Sequence, residues 1–510
     1  MAASHKAMKT VGIAGAGLMG RGIAQIVAQA GFDVRLLDAK RFAAADAKRL
    51  IAEQLATLVA KGRLSAVAVE SAVAHIALPE SIAGFADADL VIEAIVERLE
   101  AKQTLIATLD GVVGKECILA TNTSSLSVTA IAAASAYPAR VAGLHFFSPV
   151  PLMKLVEVID GLLTSPVVIE RLVEFASTLG HTPVKAKDTP GFIVNHAGRG
   201  YGTEALRIIG EGVADAATID IILKLEAGFR MGPFELLDLT GLDVSHPVME
   251  SIYHQFYEEP RFRPSPLTAQ RLAAGLLGRK SGRGFYDYRG ADALARPPPT
   301  ITPSDPAQPR RAWISGTSPG SRQRVVSLLQ SVGAEIDTGA TPKSDSLCIV
   351  LPSGRDATTA ALDERLDPRR TVALDTLFDM SRHRTLMTTS VTERHWRDAA
   401  KSMFAADGVP VHVIHDSPGF VVQRTVAHVV NIACDIAQQR IATPEDIDLA
   451  VRIGLAYPAG PLAWGDAIGP PRLLRILKNL ARLYGDPRYR PSLWLARRAR
   501  LGVSLLTPEA

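Results

Sequence analysis

His145 opens the segment His145-Phe146-Phe147-Ser148-Pro149-Val150-Pro151-Leu152-Met153-Lys154-Leu155-Val156-Glu157. An imidazole that titrates near neutrality is suited to take the proton of a secondary alcohol while hydride leaves the same carbon for a nicotinamide, and such a base contributes ~10² to 10⁴ in rate. Glu157 is a carboxylate able to accept a hydrogen bond from the other ring nitrogen, which fixes the tautomer and stabilises the imidazolium. By spacing alone a histidine at a strand end is more often structural, so the pair needs a cofactor site beside it.

The N-terminal segment offers one. Residues 11–14 read as a short apolar strand that runs into Gly15-Ala16-Gly17-Leu18-Met19-Gly20 and then a helical pattern, the context in which a G-x-G-x-x-G is informative. Gly15 permits the tight turn, Gly17 lets backbone N–H groups approach a pyrophosphate, and Gly20 lets helix and strand pack closely. With Leu18 and Met19 these glycines form the expected phosphate-binding turn, where the helix N-terminus adds partial positive charge. Asp38 ends the next apolar run, about 20 residues on, where a carboxylate can bind both ribose hydroxyls and repel a 2′-phosphate. The expected cofactor is therefore NAD, a preference that Lys40 and Arg41 soften. A helix N-cap is the other role open to Asp38.

These groups need rigid elements to hold them. Up to about residue 187, short apolar runs at 11–14, 34–37, 90–93, 118–121 and 141–145 alternate with Ala-rich helical segments, the pattern of a parallel sheet flanked by helices. Residues 188–295 read as helical. Residues 296–310, rich in proline, read as a semi-rigid linker. Residues 311–410 again alternate apolar runs (312–315, 347–351, 371–374) with helical stretches, and 411–510 read as helical.

An internal repeat ties these parts together. At a constant offset of 228 residues, Asp188-Thr189-Pro190-Gly191-Phe192-Ile193-Val194 matches Asp416-Ser417-Pro418-Gly419-Phe420-Val421-Val422. The same offset pairs Ile219-Asp220 with Ile447-Asp448, Gly232-Pro233 with Gly460-Pro461, Asp238 with Asp466 and Gly241 with Gly469. The helical domain is thus duplicated. The second α/β region has no G-x-G-x-x-G after Trp313, no His-Phe-Phe segment, and Gln423 where the offset places Asn195. It is expected to be degenerate and not to bind NAD.

At 510 residues the chain exceeds one hydrophobic core, and 47% hydrophobic with 21% charged residues is an ordinary globular composition. The net charge of +4 is spread without a Lys/Arg run, which argues against a nucleic-acid partner. No stretch of roughly 18 uncharged apolar residues predicts a membrane span. Arg21 and the glycines argue against reading the N-terminus as a signal peptide. Three isolated cysteines, Cys117, Cys348 and Cys434, suit a reducing cytoplasm and offer no metal pattern.

Five segments together resemble the L-3-hydroxyacyl-CoA dehydrogenase family: Gly15 to Gly20 with Asp38, Thr121-Asn122-Thr123-Ser124-Ser125-Leu126, the His145 to Glu157 segment, Asp188 to Asn195, and Gly278-Arg279-Lys280-Ser281-Gly282-Arg283-Gly284-Phe285-Tyr286. The resemblance spans about residues 9 to 290. It implies a Rossmann-like α/β domain followed by an all-α dehydrogenase domain, here extended by the degenerate α/β region and the second all-α repeat. His145 would be the base and Glu157 its partner, Ser124 would bond the substrate oxygen, and Asn195 would reach His145 or the thioester from the helical domain. For NAD it implies Asp38, Glu97, Lys102, Asn122 and Lys280. The substrate would be an acyl-CoA whose phosphates need cations, for which Lys48, Arg49, Lys61 and Arg63 are candidates. Ser148 stands where the family usually has Asn, and His196 where Arg is common; Ser148 is expected to tune substrate contacts.

Most family members have two domains and dimerise through the helical one, so the duplicated domain is expected to act as a built-in partner, with a homodimer also open. The long layout is similar to the 3-hydroxyacyl-CoA dehydrogenases of phenylacetate catabolism, which act on 3-hydroxyadipyl-CoA. A 3-hydroxybutyryl-CoA dehydrogenase of short-chain metabolism and a nucleotide-binding structural protein without turnover are the alternatives. A β-hydroxyacid dehydrogenase would rely on a catalytic Lys, and the His145 and Glu157 spacing speaks against it.

Overall fold

A computed structural model describes residues 8–290 and 311–509, so the segment expected as a linker, 296–310, lies outside the described residues. The described chain gathers into two compact units. One takes Met1–His196 together with Gln439–Leu455, and the other takes Ala197–Gln438 together with Ala456–Ala510.

The first unit is built on eight strands: β1 (Thr10–Ala14), β2 (Asp33–Leu37), β3 (Ile76–Ala77), β4 (Leu90–Glu93), β5 (Ile118–Thr121), β6 (Val141–Phe146), β7 (Leu155–Asp160) and β8 (Thr182–Lys187). Their order is β3-β2-β1-β4-β5-β6-β7-β8. β1, β4, β5 and β6 bury every side chain, as a sheet covered on both faces requires. The expectation of a parallel sheet needs one correction, because β7 runs antiparallel to β6. Residues 147–154 join them, fewer than the dozen or so that a parallel crossover needs, so the chain must turn straight back. Strands β3, β7 and β8 go beyond the sequence reading. β3 is two residues long, and β7 carries Glu157 inside an otherwise apolar run.

Residues 439–455 belong to this unit through the helix Pro444–Gly454, which packs on β7 and β8. The Lys187 N–H donates to the Ile441 carbonyl at 2.8 Å. A Cβ on Gly454 would stand 2.8 Å from Leu155 and 3.0 Å from Val194, so the helix seats against the residues that flank the Glu157 region.

The second unit holds the other helices of both repeats and a six-stranded sheet: β9 (Arg311–Ile314), β10 (Glu335–Asp337), β11 (Leu347–Val350), β12 (Thr371–Leu374), β13 (Arg384–Thr388) and β14 (Val411–Ile414), ordered β10-β9-β11-β12-β13-β14. Again one neighbour pair is antiparallel, β12 with β13. Strands β12, β13 and β14 fall at the repeat offset from β6, β7 and β8, so the duplication reaches back into the sheet.

The structure also explains the repeated residues. Asp188 accepts the Val128 and Thr129 N–H groups at 3.0 and 2.7 Å, and Asp416 accepts those of Ala357 and Thr358 at 2.8 and 3.4 Å. Each aspartate thereby satisfies the open N-terminus of a helix, Val128–Ala132 or Ala357–Asp363. Asp238 accepts the Phe285 and Tyr286 N–H groups, while Asp466 accepts that of Leu505 and the Ser504 hydroxyl. Gly241 and Gly469, at φ of +85° and +99°, end corresponding helices in a conformation that favours glycine. The His415 N–H donates to the Val213 carbonyl at 3.0 Å, the same bond as Lys187 to Ile441 with both residues moved by the offset.

Between the helices of the two repeats a charged core is fully buried. Glu204 accepts from Arg424 Nε at 2.8 Å, Arg488 Nε at 3.0 Å and the Tyr489 hydroxyl at 2.8 Å. Burial would raise its carboxyl, but the two guanidinium groups hold it far below the ordinary carboxylate range.

Candidate active site

His145 and Glu157 face each other as register partners across the antiparallel β6–β7 ladder. Directly opposed side chains in such a pair stand within reach of a hydrogen bond, and Nδ1 of His145 lies 2.7 Å from Oε2 of Glu157. The other carboxylate oxygen, Oε1, accepts the N–H groups of Ile193 at 3.0 Å and Val194 at 2.9 Å, at the start of the helix Val194–Gly210. Glu157 is fully buried, with both oxygens spent and a helix N-terminus behind it. The Asp-Thr-Pro-Gly-Phe motif thus delivers a helix end onto the carboxylate that orients the ring. With Nδ1–H committed to Glu157, Nε2 is left as the acceptor, and among the described residues it has no hydrogen-bond partner. The rings of Phe147 and Phe192 flank the imidazole at 4.4 and 5.9 Å.

Ser124 and Asn195 come together beside this pair: Asn195 Nδ2 donates to the Ser124 carbonyl at 3.3 Å. The Ser124 N–H and hydroxyl point to Glu97 Oε1 at 2.8 and 3.3 Å. Glu97 also accepts from the Thr123 hydroxyl at 2.7 Å and pairs with Lys102 at 3.2 Å. Burial raises the Glu97 carboxyl, but Lys102 and the hydrogen bonds from Thr123 and Ser124 outweigh it and hold the group below its ordinary range. Lys102 is itself buried and donates to Glu93 at 2.7 Å, while Thr121 bonds the second Glu93 oxygen at 2.7 Å. Asn122 accepts the Phe146 N–H at 2.8 Å, tying the end of β5 to the strand that carries His145.

The glycine turn fits a dinucleotide. Gly15 lies at φ +106°, where a Cβ would strike the Ala94 carbonyl at 2.4 Å. A Cβ on Gly20 would overlap the Gly15 carbonyl, so helix Leu18–Gln29 can pack this closely only through glycine. Gly17, the N-cap of that helix, has open space where a Cβ would be, which leaves its backbone approachable by phosphate. Asp38 accepts the Ala16 N–H at 2.7 Å and the Lys40 N–H at 2.8 Å, bracing the turn from the end of β2.

The remaining expected residues are more dispersed. Lys48 Nζ donates to the Ile76 carbonyl at 2.5 Å, which commits it to the sheet edge, whereas Lys61 ends the helix Ala43–Ala60 and is exposed. Arg49 pairs with Glu53 at 2.6 Å. Ser148 is exposed in the loop after β6. Lys280 belongs to the second unit, where it pairs with Asp243 at 2.8 Å. The sequence reading gave no role to Glu93, Thr121, Thr123 or the Ile193 and Val194 N–H groups. An acid closing the buried run 90–93 was the available signal for Glu93; backbone donors leave none.

Residues 10–189 match the model of the 3-hydroxyacyl-CoA dehydrogenase NAD binding domain, and residues 191–288 and again 419–504 match that of the C-terminal domain. The chain belongs to the 3-hydroxyacyl-CoA dehydrogenase family. It is 39% identical over 494 residues to the 3-hydroxyadipyl-CoA dehydrogenase of Escherichia coli (strain K12), a match covering 97% of this chain and 98% of that protein. A solved 3-hydroxybutyryl-CoA dehydrogenase from Escherichia coli K12 substr. MG1655 superposes with a TM-score of 0.86 at 38% identity, covering 97% of this chain and 99% of that one. The (S)-3-hydroxybutyryl-CoA dehydrogenase of Ralstonia eutropha matches 56% of this chain and all of its own, at 40% identity and a TM-score of 0.54. The protein is an NAD-dependent 3-hydroxyacyl-CoA dehydrogenase with a Rossmann-like domain, a helical domain, a second sheet region and further helices. No helix among the described residues is long and apolar enough to cross a membrane.

Proposed function

We propose that His145 is the general base of this dehydrogenase, taking the proton of the 3-hydroxyl of an (S)-3-hydroxyacyl-CoA at Nε2 as the alcohol becomes a ketone. The observation that carries this reading is the 2.7 Å contact of Nδ1 with a carboxylate whose second oxygen is held by two backbone N–H groups. That arrangement keeps the Nε2 lone pair outward and stabilises the imidazolium once the proton has arrived. Ser124 turns its hydroxyl from Glu97 to the substrate oxygen, and Asn195 steadies the Ser124 backbone and the thioester side of the site. NAD would be held by the Gly15 to Gly20 turn, Leu18, Met19, Asp38, Glu97, Lys102 and Asn122 and would supply the hydride acceptor; Lys280 stays a candidate contact.

For the acyl group we favour a dicarboxylic thioester, 3-hydroxyadipyl-CoA, because the relative carrying that name matches nearly the full length of both chains. A 3-hydroxybutyryl-CoA substrate is the second reading, supported by the description of the full-length solved structure. Lys61 and Ser148 remain candidate substrate contacts, and Lys48 a weaker one. The duplicated helical domain serves as an internal partner. The bonds Lys187 to Ile441 and His415 to Val213 support this, since a two-fold pair of copies would make them reciprocally. Buried Cys117, Cys348 and Cys434 accord with a reducing cytoplasm.

The test follows NADH absorbance with acetoacetyl-CoA. His145→Ala should lower kcat by ~10² to 10⁴, and full activity in that variant overturns the assignment. A panel of 3-hydroxyacyl-CoA thioesters that includes a dicarboxylic member decides between the two acyl groups by kcat/KM.

A further inference from the structure

The six-stranded sheet keeps a nucleotide-fold topology. From β9 the chain moves to β10 on one side, then returns to place β11 on the other, both parallel to β9. The β9–β11 boundary is therefore a switch point, and in open α/β sheets ligands bind in the crevice outside the carboxyl ends of strands at such a point. A cavity of about 480 Å³ lies there, lined by Thr317 and Ser318 after β9 and by Ser353 and Arg355 after β11.

Helix Pro470–Tyr484 forms the far wall. It passes so close to the loop after β11 that a Cβ on Gly354 would lie 2.5 Å from the Ile476 carbonyl. Into the cavity it presents Arg475, Lys478 and Arg482, on one helical face. This helix carries no carboxylate at all. Among the described residues none of the three cations has a hydrogen bond or an ion pair. The one acid of the lining, Asp363, is already spent on Arg355 at 2.7 Å. Three neighbouring like charges on one face repel each other, and a bound anion relieves that repulsion. Leu351 is the sole apolar residue of the lining, so the site does not suit a greasy ligand.

A whole dinucleotide is the wrong occupant. The β9 turn lacks the three glycines, and Asp337, at the end of β10 where Asp38 stands relative to β2, has its carboxylate committed to the Gly339 and Lys343 N–H groups and the Ser346 hydroxyl.

We propose that this crevice is a second, separate binding site for a phosphate-bearing polyanion no larger than a nucleoside bisphosphate, held by Arg475, Lys478 and Arg482. It goes beyond the dehydrogenase reading and stands whether or not His145 is the base.

The experiment is calorimetric titration of the full chain, kept saturated with NADH, using adenosine 3′,5′-bisphosphate in one arm and inorganic pyrophosphate in the other. At least one probe should bind wild type in a salt-sensitive manner. Its Kd should weaken about tenfold or more in the double variant Arg475→Glu/Lys478→Glu and measurably in Arg482→Gln. Tighter binding of the adenosine compound points to a nucleotide or a coenzyme A phosphate as the source; equal binding points to free phosphate. Because the altered residues are exposed, unfolding midpoints matching wild type confirm that the variants are folded. Absence of binding to wild type, or unchanged affinity in both folded variants, overturns the proposal.

Discussion

The two α/β regions share a ladder and differ in what they mount on it. Across β6 and β7 stand His145 and Glu157; at the repeat offset, on β12 and β13, stand Ala373 and Thr385, which no longer face each other because Ala373 pairs with Met387. Asn195 gives way to Gln423, which is fully buried and spent: its Oε1 accepts the Gly354 N–H at 2.7 Å, and its Nε2 donates to Pro352 and Asp375 at 3.1 and 2.9 Å. Thr385 likewise serves packing, donating to Glu226 at 2.6 Å. In the first region, among the described residues, Nε2 of His145 is held in place and has no hydrogen-bond partner. In the second, Gln423 and Thr385 are both bonded within the fold. Retaining a sheet needs only buried apolar strands, whereas chemistry needs an atom held in place and left open.

The strongest test of that contrast is Glu157→Gln. An amide cannot stabilise an imidazolium and admits the wrong tautomer, so kcat for NADH and acetoacetyl-CoA should fall by ~10² to 10⁴. Near-normal kcat would remove the distinction between the regions.

Next is the charged core of the second unit. Glu204→Ala leaves Arg488 buried without its acid and Arg424 with Glu211 alone, and urea unfolding should show a loss of ~3 to 5 kcal/mol.

Smaller is the effect of Glu226, which burial pushes up to about 8 despite the hydrogen bond from Thr385. The folded state keeps this proton while an unfolded glutamate, near 4.5, releases it, so stability falls as pH rises between the two values. His383 and His412, driven by burial down to about 4, act in the opposite sense only below their ordinary 6.5. Between pH 6.5 and 8 the Glu226 contribution therefore dominates, with Asp375, raised by burial and by Glu226 to about 7, adding to its lower part. Glu226→Gln should flatten the unfolding free energy across that range by about 2 kcal/mol. An unchanged pH slope would show that the buried Glu226 and His383 groups do not titrate as a packing device.

Smallest is Gly454→Val. Its side chain would press on Leu155 and Val194 and shift the N–H that holds Glu157, lowering kcat about tenfold with KM little changed. A wild-type kcat would show that helix Pro444–Gly454 supports the sheet without tuning the site.

Much of this was legible in the chain. The glycine turn, Asp38, the strand ends and the His145 segment declare themselves because local backbone requirements restrict residue types at fixed spacings. The offset of 228 exposed the duplication, since repeated caps and turns demand the same Asp, Gly and Pro at the same places. Other features were closed to such reading. The antiparallel return of β7, the docking of Ile193 and Val194 on Glu157, and the Glu93–Lys102–Glu97 chain join residues through space by backbone donors and buried charges that leave no periodic trace.

The sequence by itself determined which groups are available: a histidine, a carboxylate, a phosphate-binding turn and two copies of a helical domain. Only the tertiary structure decided which partner each group meets. Hydrogen bonds and ion pairs depend on distances of about 3 Å, and those are set by strand register and helix packing between segments far apart in the chain. Register made His145 and Glu157 a pair, and packing made Asp337 and Gln423 into supports.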